Sequence, residues 1–556
     1  MLEKYWNNKI TASLLYIAIS GFLLAEVILN LTPSISRDAL IHHLAIPKLW
    51  LLHGGFYEIP WADFSYYPMN IDLLYLVSLY FKNNIFPKFI HFVFGVGTGL
   101  LVYYYLRNRF GKSWGLLGFF IFFSTPVVVR LSTTAYVDLG LIFFTTASIL
   151  AFVRWRDDGY KNTKWLILSA ICMGLAAGSK YNALIAWFFL NLTMVFYYSR
   201  DTGRGLPALK DGVIFFIIAL LIVSPWYIKN YILTGNPLYP LFDNFFRSVH
   251  HIAGGSSGSA VVSTGAWADN IFQRRELMFG EGFWETILIP IRMFFQGKDN
   301  SAQYFDGVLN PILIIMLPFA FLNKNFSRDK ALFFLFSVFF LFMAYFLTVI
   351  RVRYILPVVP FLTILSVIGI KNVVTWAIKK TGQVRYTGLI GIFAVVTILI
   401  AFNFLYLKDY FNTVQPVKYV INQETKDEFL ARHIRSYPAM LYVNENLPDD
   451  SRIFLMFLGR RGYYLDRPYY HEASFGMNTI NGMVNTSRNK QDFESYLHSM
   501  GCTHILMRTD LFNKYLHDNF PEDTIACFLE LVKEYWNPAY ESNGYTLIEV
   551  RNDKQK

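Results

Sequence analysis

Long apolar runs separated by short charged breaks dominate residues 1–407. Cutting the runs at charges and at Pro/Gly clusters predicts about eleven membrane spans. Met69–Phe81 is apolar but too short to cross a bilayer, since crossing takes about 20 residues, so we expect a helix along or dipping into the membrane surface. The predicted spans are 10–31, 86–106, 114–131, 139–153, 165–179, 183–198, 211–228, 307–323, 331–350, 354–370 and 387–407.

Residues 408–556 have ordinary polar content, and helical runs alternate there with strand-like runs. Such alternation favours a small α/β domain. The predicted fold is therefore mainly α: a polytopic transmembrane helical bundle over 1–407, followed by a soluble extracytoplasmic α/β domain over 408–556. Predicted elements of this domain are helices at Lys426–Asn446 and Asp492–Met500 and strands at Arg452–Phe457, Thr503–Met507 and Tyr545–Val550.

Composition and charge support a membrane protein. The chain is 54% hydrophobic and 16% charged, against about 25% charged in soluble domains. Its net charge of +11 comes largely from short loops between apolar runs, which is the positive-inside pattern. Anionic lipid headgroups are therefore the expected partners of the basic residues, and nucleic acid is not.

The basic loops also predict an orientation. With the N-terminus inside the cell, the breaks near Arg107, Arg154, Arg200, Lys324 and Lys371 all face the cytoplasm. The chain is then a multi-pass protein of the inner (plasma) membrane, and its C-terminal domain is extracytoplasmic. The outer segments are the first loop 32–85, the large loop 229–306, and the short breaks 132–138, 180–182 and 351–353.

Carboxylates and histidines at the predicted outer side are candidates for chemistry. Asp38 follows the first span and is either a general base or the N-cap of the next helix. Asp138 opens a later span and is either a functional carboxylate or an anion at the positive end of that helix. His42, His43 and Asp72 share the first loop with Asp38, and a packing role is the alternative for the histidine pair.

Cations on the outer side run against the positive-inside pattern and need anionic partners. Lys180, followed by Tyr181, separates two apolar runs. Arg351 and Arg353, with Tyr354 after them, suit a phosphate, because guanidinium groups bind it with two parallel hydrogen bonds. The alternative is a pair of ordinary anchors at the outer leaflet.

Six stretches resemble the GT-C superfamily of integral membrane glycosyltransferases, especially bacterial relatives of protein O-mannosyltransferases and lipid A aminoarabinose transferases. The stretches are 36–40, 64–75, 134–138, 174–181, 224–230 and 353–357. The resemblance implies an inverting transfer from a polyprenyl-phosphate-sugar donor to a hydroxyl of a glycan, lipid or protein acceptor. It gives Asp38 the role of base and makes Asp138 the second acidic position.

The same resemblance implies that Arg351, Arg353 and Lys180 stabilise the phosphate leaving group, and Tyr67 falls in its first-loop motif. Many relatives carry two adjacent acidic residues at the first site, whereas here Arg37 precedes Asp38. No metal ligand is therefore assigned, and a divalent metal stays open. Aminoarabinose transferases also carry a first-loop lysine that is missing beside Tyr67, so the donor contacts must differ.

Two other function classes remain open. A transporter or flippase of a lipid-linked sugar would line a pathway with charges and commonly shows internal repeats, but the chain has no such repeat and its charges cluster on one side. A non-catalytic lipid-binding subunit would tolerate loss of Asp38. Among the cysteines, Cys172 is expected in the core, whereas Cys502 and Cys527 can pair only if the tail is exported and they lie close together.

Overall fold

The computed structural model describes residues 9–252, 270–347, 349–379, 383–472 and 477–551. Parts of the predicted large outer loop and of the C-terminal domain, at 253–269, 473–476 and 552–556, lie outside the described residues. Residue 348, within the predicted span 331–350, lies outside them as well.

The described part of the membrane region is mainly helical, and each predicted span contains helix, although 307–323 is helical only in part. From the amino end the α-helices are Lys9–Asn30, Ala45–His53, Asn70–Tyr80, Phe86–Phe110, Lys112–Ser124, Pro126–Ser132, Asp138–Asp157, Thr163–Ala177, Ala183–Thr202 and Gly205–Thr234. The later ones are Asp243–Ile252, Ile271–Phe279, Phe283–Ile287, Ile289–Arg292, Ile312–Ile315, Ser327–Leu347, Val359–Lys379 and Gln383–Val414. Short 3-10 helices are Asp63–Tyr66, Pro318–Leu322 and Val352–Val358, and Ala39–His43 is a π-helix.

Within the described residues, seven helices are long and apolar enough to cross a bilayer, or eight if Lys112–Ser124 and Pro126–Ser132, bent by 70°, count as one span. The other predicted spans are harder to assign. Thr163–Ala177 has 15 residues, fewer than the roughly 20 that a crossing needs. The region 307–323 is divided into two short helices, with Pro318 opening the second. The count of eleven therefore stays a prediction.

The C-terminal region forms a five-stranded mixed sheet with helices, as predicted. Its strands are β1 Ile453–Met456, β2 Tyr469–His471, β3 His504–Arg508, β4 Trp536–Ser542 and β5 Tyr545–Val550, in the order β2-β1-β3-β5-β4. β1 runs parallel to β2 and β3, and β5 runs antiparallel to β3 and β4. Its helices are Pro416–Val420, Lys426–His433, Tyr437–Asn446, Asn478–Thr486, Lys490–Met500, Thr509–Asn519 and Glu522–Tyr535.

Two details of this region differ from the sequence-based expectation. The predicted helix Lys426–Asn446 is divided into two, and Pro438 lies in the first turn of the second helix, where a proline is tolerated. Helix Gln383–Val414 continues past the predicted boundary at 407. All three cysteines are free, with Cys172 and Cys502 buried and Cys527 exposed.

Candidate active site

Asp38 lies between the first long helix and the π-helix Ala39–His43. It occupies the N-cap position, yet its side chain makes no capping hydrogen bond. Its Oδ2 instead accepts a hydrogen bond from Arg353 in an ion pair, and its backbone N–H donates to the Tyr136 hydroxyl at 3.2 Å. The carboxylate is thus directed to an arginine from a distant part of the chain, and the capping alternative does not describe its side chain.

Arg353 belongs to the 3-10 helix Val352–Val358, at the start of a long apolar helical segment. Its side chain is 13% exposed, and its guanidinium lies 5.7 Å from the ring centroid of Tyr136 and 5.2 Å from that of Tyr354. The Nε atom is buried without a hydrogen-bond partner. Two aromatic faces and one carboxylate therefore hold the guanidinium, and part of its donor capacity is unused.

A second ion pair lies beside the first. Lys180 Nζ donates to Asp138 Oδ1 at 2.6 Å, and Lys180 lies 5.1 Å from the ring centroid of Tyr354. Asp138 is fully buried, and its Oδ2 has no hydrogen-bond partner. Because Tyr354 contacts both Lys180 and Arg353, the two cations predicted from the sequence flank one aromatic ring.

The two histidines and Asp72 form a buried group next to Asp38. His43 Nδ1 and Asp72 Oδ1 are 2.7 Å apart, and the rings of His42 and His43 lie 4.0 Å apart. His42 also stacks on Phe64 at 4.2 Å. Burial raises the pKa of Asp72 to about 7 and lowers the pKa of His43 to about 3. Both imidazoles are therefore uncharged at neutral pH, since burial also lowers the pKa of His42.

Opposite effects act on the pKa of Asp38. Burial raises it, but the positive charge of Arg353, together with the hydrogen bond that Arg353 donates, outweighs burial and holds the pKa well below its usual range. A carboxylate in that state stays ionised at neutral pH and accepts a proton poorly. The basicity of Asp38 therefore depends on whether Arg353 remains paired with it.

Tyr67 and Tyr181 contact each other, and Tyr181 also contacts residues of the segment 229–306. Their ring centroids lie 5.3 Å apart. The Tyr181 hydroxyl donates to the Tyr239 carbonyl at 2.9 Å and accepts from Asn230 Nδ2 at 3.2 Å. The structure thus brings together most of the residues predicted from the sequence.

Arg351 is placed apart from Arg353. It pairs with Asp306 at 3.6 Å, and Asp306 also pairs with Arg130 at 3.3 Å. The backbone explains the separation, because Arg351 is extended whereas Val352 begins a 3-10 helix. The two arginines therefore point to different partners, and a common contact with one phosphate is not what this geometry provides.

Sequence reasoning did not select Tyr136 or the C-terminal contacts. Tyr136 lies two residues before Asp138, and its place in the 134–138 motif was the available signal. The Tyr464 hydroxyl donates to the Ser34 carbonyl at 2.7 Å, and no pattern in the sequence predicts this contact between distant segments.

A divalent metal is not supported by the donor set. Among the described ranges, no group of three or more His, Cys, Asp and Glu side chains is placed to hold a metal ion. Asp38 and Asp138 each face a cation at hydrogen-bond distance, whereas Mg²⁺ and Ca²⁺ require several oxygen ligands. No step is therefore derived through a metal.

Comparison with known sequences finds similarity to mannosyltransferases over part of the chain. A model of the dolichyl-phosphate-mannose-protein mannosyltransferase family matches residues 56–235, a range that includes Asp138 and Lys180 but neither Asp38 nor Arg353. The putative mannosyltransferase YkcB of Bacillus subtilis (strain 168) is 27% identical over 131 residues, which cover 23% of this chain and only 17% of that protein.

Comparison with solved structures extends the likeness of fold to nearly the whole chain. ArnT from Cupriavidus metallidurans bound to undecaprenyl phosphate is 13% identical with a TM-score of 0.55, covering 96% of this chain and 98% of that one. The oligosaccharyltransferase AglB from Archaeoglobus fulgidus, in complex with an inhibitory peptide and a dolichol-phosphate, is 11% identical with a TM-score of 0.52, covering 97% and 74%. The resemblance to the GT-C superfamily and the predicted fold class are confirmed.

Proposed function

We propose that the protein is a membrane glycosyltransferase that moves a sugar from a polyprenyl-phosphate donor to an acceptor hydroxyl with inversion. The observation that carries the proposal is the buried Asp38–Arg353 ion pair, with the Lys180–Asp138 pair beside it. One group of side chains thus offers both a base and cations for a phosphate. Support also comes from the mannosyltransferase family match and from the ArnT fold, which was solved with undecaprenyl phosphate.

Arg353 and Lys180 serve the phosphate in this proposal. The donor phosphate competes with Asp38 for Arg353 and with Asp138 for Lys180. Arg353 has donors to spare, since its Nε is unpaired, and its planar group can bind two phosphate oxygens at once. As the bond from the sugar to the phosphate oxygen breaks, negative charge grows on that oxygen, and the two cations stabilise it.

Asp38 acts as the base once Arg353 has turned to the phosphate. The acceptor O–H proton passes to the Asp38 carboxylate while the acceptor oxygen bonds to the anomeric carbon. The carbon–oxygen bond to phosphate breaks with its electron pair, and polyprenyl phosphate leaves. Base and leaving group lie on opposite faces of the sugar ring, as in inverting glycoside hydrolysis.

Because Arg353 pairs first with Asp38 and then with the donor phosphate, the donor has to bind before the reaction. While Arg353 is paired with Asp38, the pKa of the carboxylate is held low, and proton transfer from a hydroxyl to it is unfavourable. The donor phosphate draws Arg353 away, the pKa of Asp38 rises, and the carboxylate becomes a useful base. The donor therefore binds before the acceptor can react.

The other predicted residues support these groups. Asp138 keeps Lys180 at the site through the 2.6 Å contact. Tyr354 lies against both cations. The remaining candidates contact one another near this group, as the pairs His42 with His43, His43 with Asp72, and Tyr67 with Tyr181.

The decisive experiment replaces Asp38 by asparagine. We expect Asp38→Asn to lose about 10²–10⁴-fold in turnover, because the amide cannot accept the proton, while binding of polyprenyl phosphate persists. The assay supplies polyprenyl-phosphate mannose and glucose in separate reactions, each with a cell-envelope extract as the source of acceptor hydroxyls, and measures release of polyprenyl phosphate. Glu58→Gln is the matched control, since Glu58 lies in the same loop and accepts a hydrogen bond from Tyr66 at 2.6 Å. Near-normal turnover in Asp38→Asn would assign the base to another carboxylate.

A further inference from the structure

A segment of the C-terminal domain lies directly over the loop that carries Asp38. The backbone N–H of Tyr463 donates to the Leu40 carbonyl at 3.3 Å, and the Tyr464 hydroxyl donates to the Ser34 carbonyl at 2.7 Å. Because Ser34 and Leu40 lie on either side of Asp38 in the chain, the segment is bonded to the loop on both sides of the carboxylate.

Lys48 strengthens this attachment. Its ammonium group donates to the carbonyls of Tyr463 and Leu465, both at 2.8 Å, and to Asp466 Oδ1 at 2.7 Å. Arg460, earlier in the segment, pairs with Asp63 of the same loop at 3.5 Å. The segment is therefore fixed over the first loop, and it holds one further arginine, between Arg460 and Tyr463, within electrostatic reach of Arg37 and Asp38.

Arg461 is that residue, and it lacks a counter-ion. Its Nε is buried with no hydrogen-bond partner, and within the described ranges neither Arg461 nor the exposed Arg37 forms an ion pair or a side-chain hydrogen bond. Burial, followed by the positive charge of Arg37, lowers the pKa of Arg461. Asp38, next to Arg37 in the chain, is already paired with Arg353. Two like charges are thus held near each other, and neither of them forms an ion pair with a carboxylate.

A bound anion stabilises the two neighbouring arginines, Arg37 and Arg461. Like charges in a partly buried place repel one another, and a bound anion converts the repulsion into attraction. Guanidinium groups suit a phosphate, whose oxygens they bind in pairs. The donor phosphate is assigned to Arg353 and Lys180 in the proposed function, so the anion that Arg461 meets is a different group.

We propose that Arg37 and Arg461 bind a phosphate group of the acceptor and thereby place an adjacent hydroxyl at Asp38. The proposal rests on the glycosyltransferase function given above and names its acceptor class: a hydroxyl compound that carries a phosphodiester. The phosphodiester can belong to a lipid headgroup or to a water-soluble glycan or polyol phosphate, and both sources share the chemistry that the arginines recognise.

The test compares two soluble probes that differ in one phosphate. The full chain is placed in dodecylmaltoside micelles, which contain no phosphate, without donor, and binding of glycerophosphoglycerol and of neutral diglycerol is followed by ligand-observed NMR. We expect the phosphodiester to bind at least about tenfold more tightly. Arg461→Gln and Arg37→Gln should each remove most of that preference, and Arg461→Lys should restore part of it.

Arg452→Gln is the matched control. Arg452 is exposed in the same domain, but it precedes β1, whereas Arg461 follows the carboxyl end of that strand. Its loss removes the same charge from the protein and should leave the preference unchanged. Equal binding of the two probes by the wild-type protein, or an equal effect of Arg452→Gln and Arg461→Gln, would overturn the proposal.

A donor measurement separates this site from the leaving-group site. Undecaprenyl phosphate should bind Arg461→Gln as tightly as wild type; weaker binding would assign the arginines to the donor and overturn the proposal. Phosphatidylglycerol added to the micelles should compete with the soluble probe if the source is a lipid, and should not compete if it is soluble. Because probe binding is measured without donor, a failure of glycosyl transfer and a failure of acceptor recognition give different results.

Discussion

At the scale of single residues, the Asp38–Arg353 pair determines the charge state of the site before substrate arrives. Both side chains are largely buried, with exposed fractions of 18% and 13%. Removing one partner of such a pair leaves an uncompensated charge, which is costly in a protein interior. The two residues are therefore best tested by substitutions that preserve charge as well as by those that remove it.

Arg353→Ala should weaken binding of the polyprenyl-phosphate donor by at least about tenfold, because a charge-assisted contact to phosphate is lost. Arg353→Lys should recover only part of the affinity, since a lysine keeps the charge but not the planar pair of donors. Donor affinity in nanodiscs measures both effects. Arg351→Ala is the comparison, and it should change donor affinity less, because Arg351 is paired with Asp306. Unchanged affinity in Arg353→Ala would leave Lys180 as the main phosphate contact.

The His43–Asp72 contact makes a separate prediction about protonation. Burial raises the pKa of Asp72 to about 7, so the carboxyl group is protonated in the folded protein at pH 6 and ionised at pH 8. Its unfolded pKa is about 3.9, and a raised folded value means that the free energy of unfolding falls as pH rises from about 4 to 7 and stays lower above that. The infrared band of a protonated carboxyl group should therefore titrate near pH 7 and should be missing in Asp72→Asn. Identical spectra of the two proteins at pH 6 would contradict this assignment.

Chemical type and sidedness were enough to select Asp38, Asp138, Lys180 and Arg353 from the sequence, because charged groups beside apolar spans are costly unless they are used. The sequence could not separate Arg351 from Arg353, since their directions depend on where the backbone changes from extended to 3-10 conformation. It also gave no sign of Arg461, whose place depends on a fold that returns to the first loop.

At the scale of elements, the segment 298–308 connects Arg353 to the helix before Asp138. The Phe305 carbonyl accepts from the Val352 N–H at 2.7 Å, and the Val308 carbonyl accepts from the Val127 N–H at 2.9 Å. Asp306 adds ion pairs to Arg351 and Arg130. The segment thus holds the backbone on which Arg353 depends, although it contributes no side chain to the group around Asp38.

Asp306→Ala should therefore raise the donor KM by roughly fivefold, because loss of two partly exposed ion pairs is worth about 1 kcal/mol. The turnover at saturating donor should change less, since Asp38 keeps its own contacts. Steady-state kinetics with varied donor measures the two effects separately. Glu285→Gln, an exposed substitution in the same outer loop, is the control. A fall in turnover of the same size, with no change in the donor KM, would contradict the role of Asp306 in positioning Arg353.

Periodicity predicted the elements well where the local signal was strong. The strands at Ile453–Met456, His504–Arg508 and Tyr545–Val550 were found because apolar β-formers are bounded by polar residues. β2 and β4 were missed: β2 has three residues, and β4 has Pro538 within it. The regions 163–177 and 307–323 show why the number of spans is hard to predict. Their helices are short or broken, and an apolar sequence of that length does not determine whether the helix crosses the membrane.

At the scale of the whole molecule, charged groups collect at both ends of one helix, Asp138–Asp157. Asp138 at its start pairs with Lys180, whereas Arg156 near its end pairs with Asp329. Eighteen residues of α-helix rise about 27 Å, close to the roughly 30 Å of a hydrocarbon core. Asp329 also accepts from Arg109 at 2.8 Å and from Tyr105 at 2.6 Å. The second cluster therefore ties helices together at the end opposite Asp38.

Because the two charged clusters lie at opposite ends of the helix, one cysteine-labelling experiment tests the predicted membrane orientation. Cys527 is exposed in the C-terminal domain, whereas the other two cysteines are buried, so a membrane-impermeant maleimide should label Cys527 alone. In right-side-out membrane vesicles we expect labelling of the wild type and none of Cys527→Ser, because the positive-inside pattern places that domain outside. In the Cys527→Ser background, Lys324→Cys, at an exposed position in a predicted cytoplasmic loop, should be labelled only after the vesicles are opened. The reverse result would move Asp38 to the cytoplasmic side together with the C-terminal domain, since Tyr463 and Tyr464 bond that domain to the first loop, and donor and acceptor would then have to reach the site from within the cell.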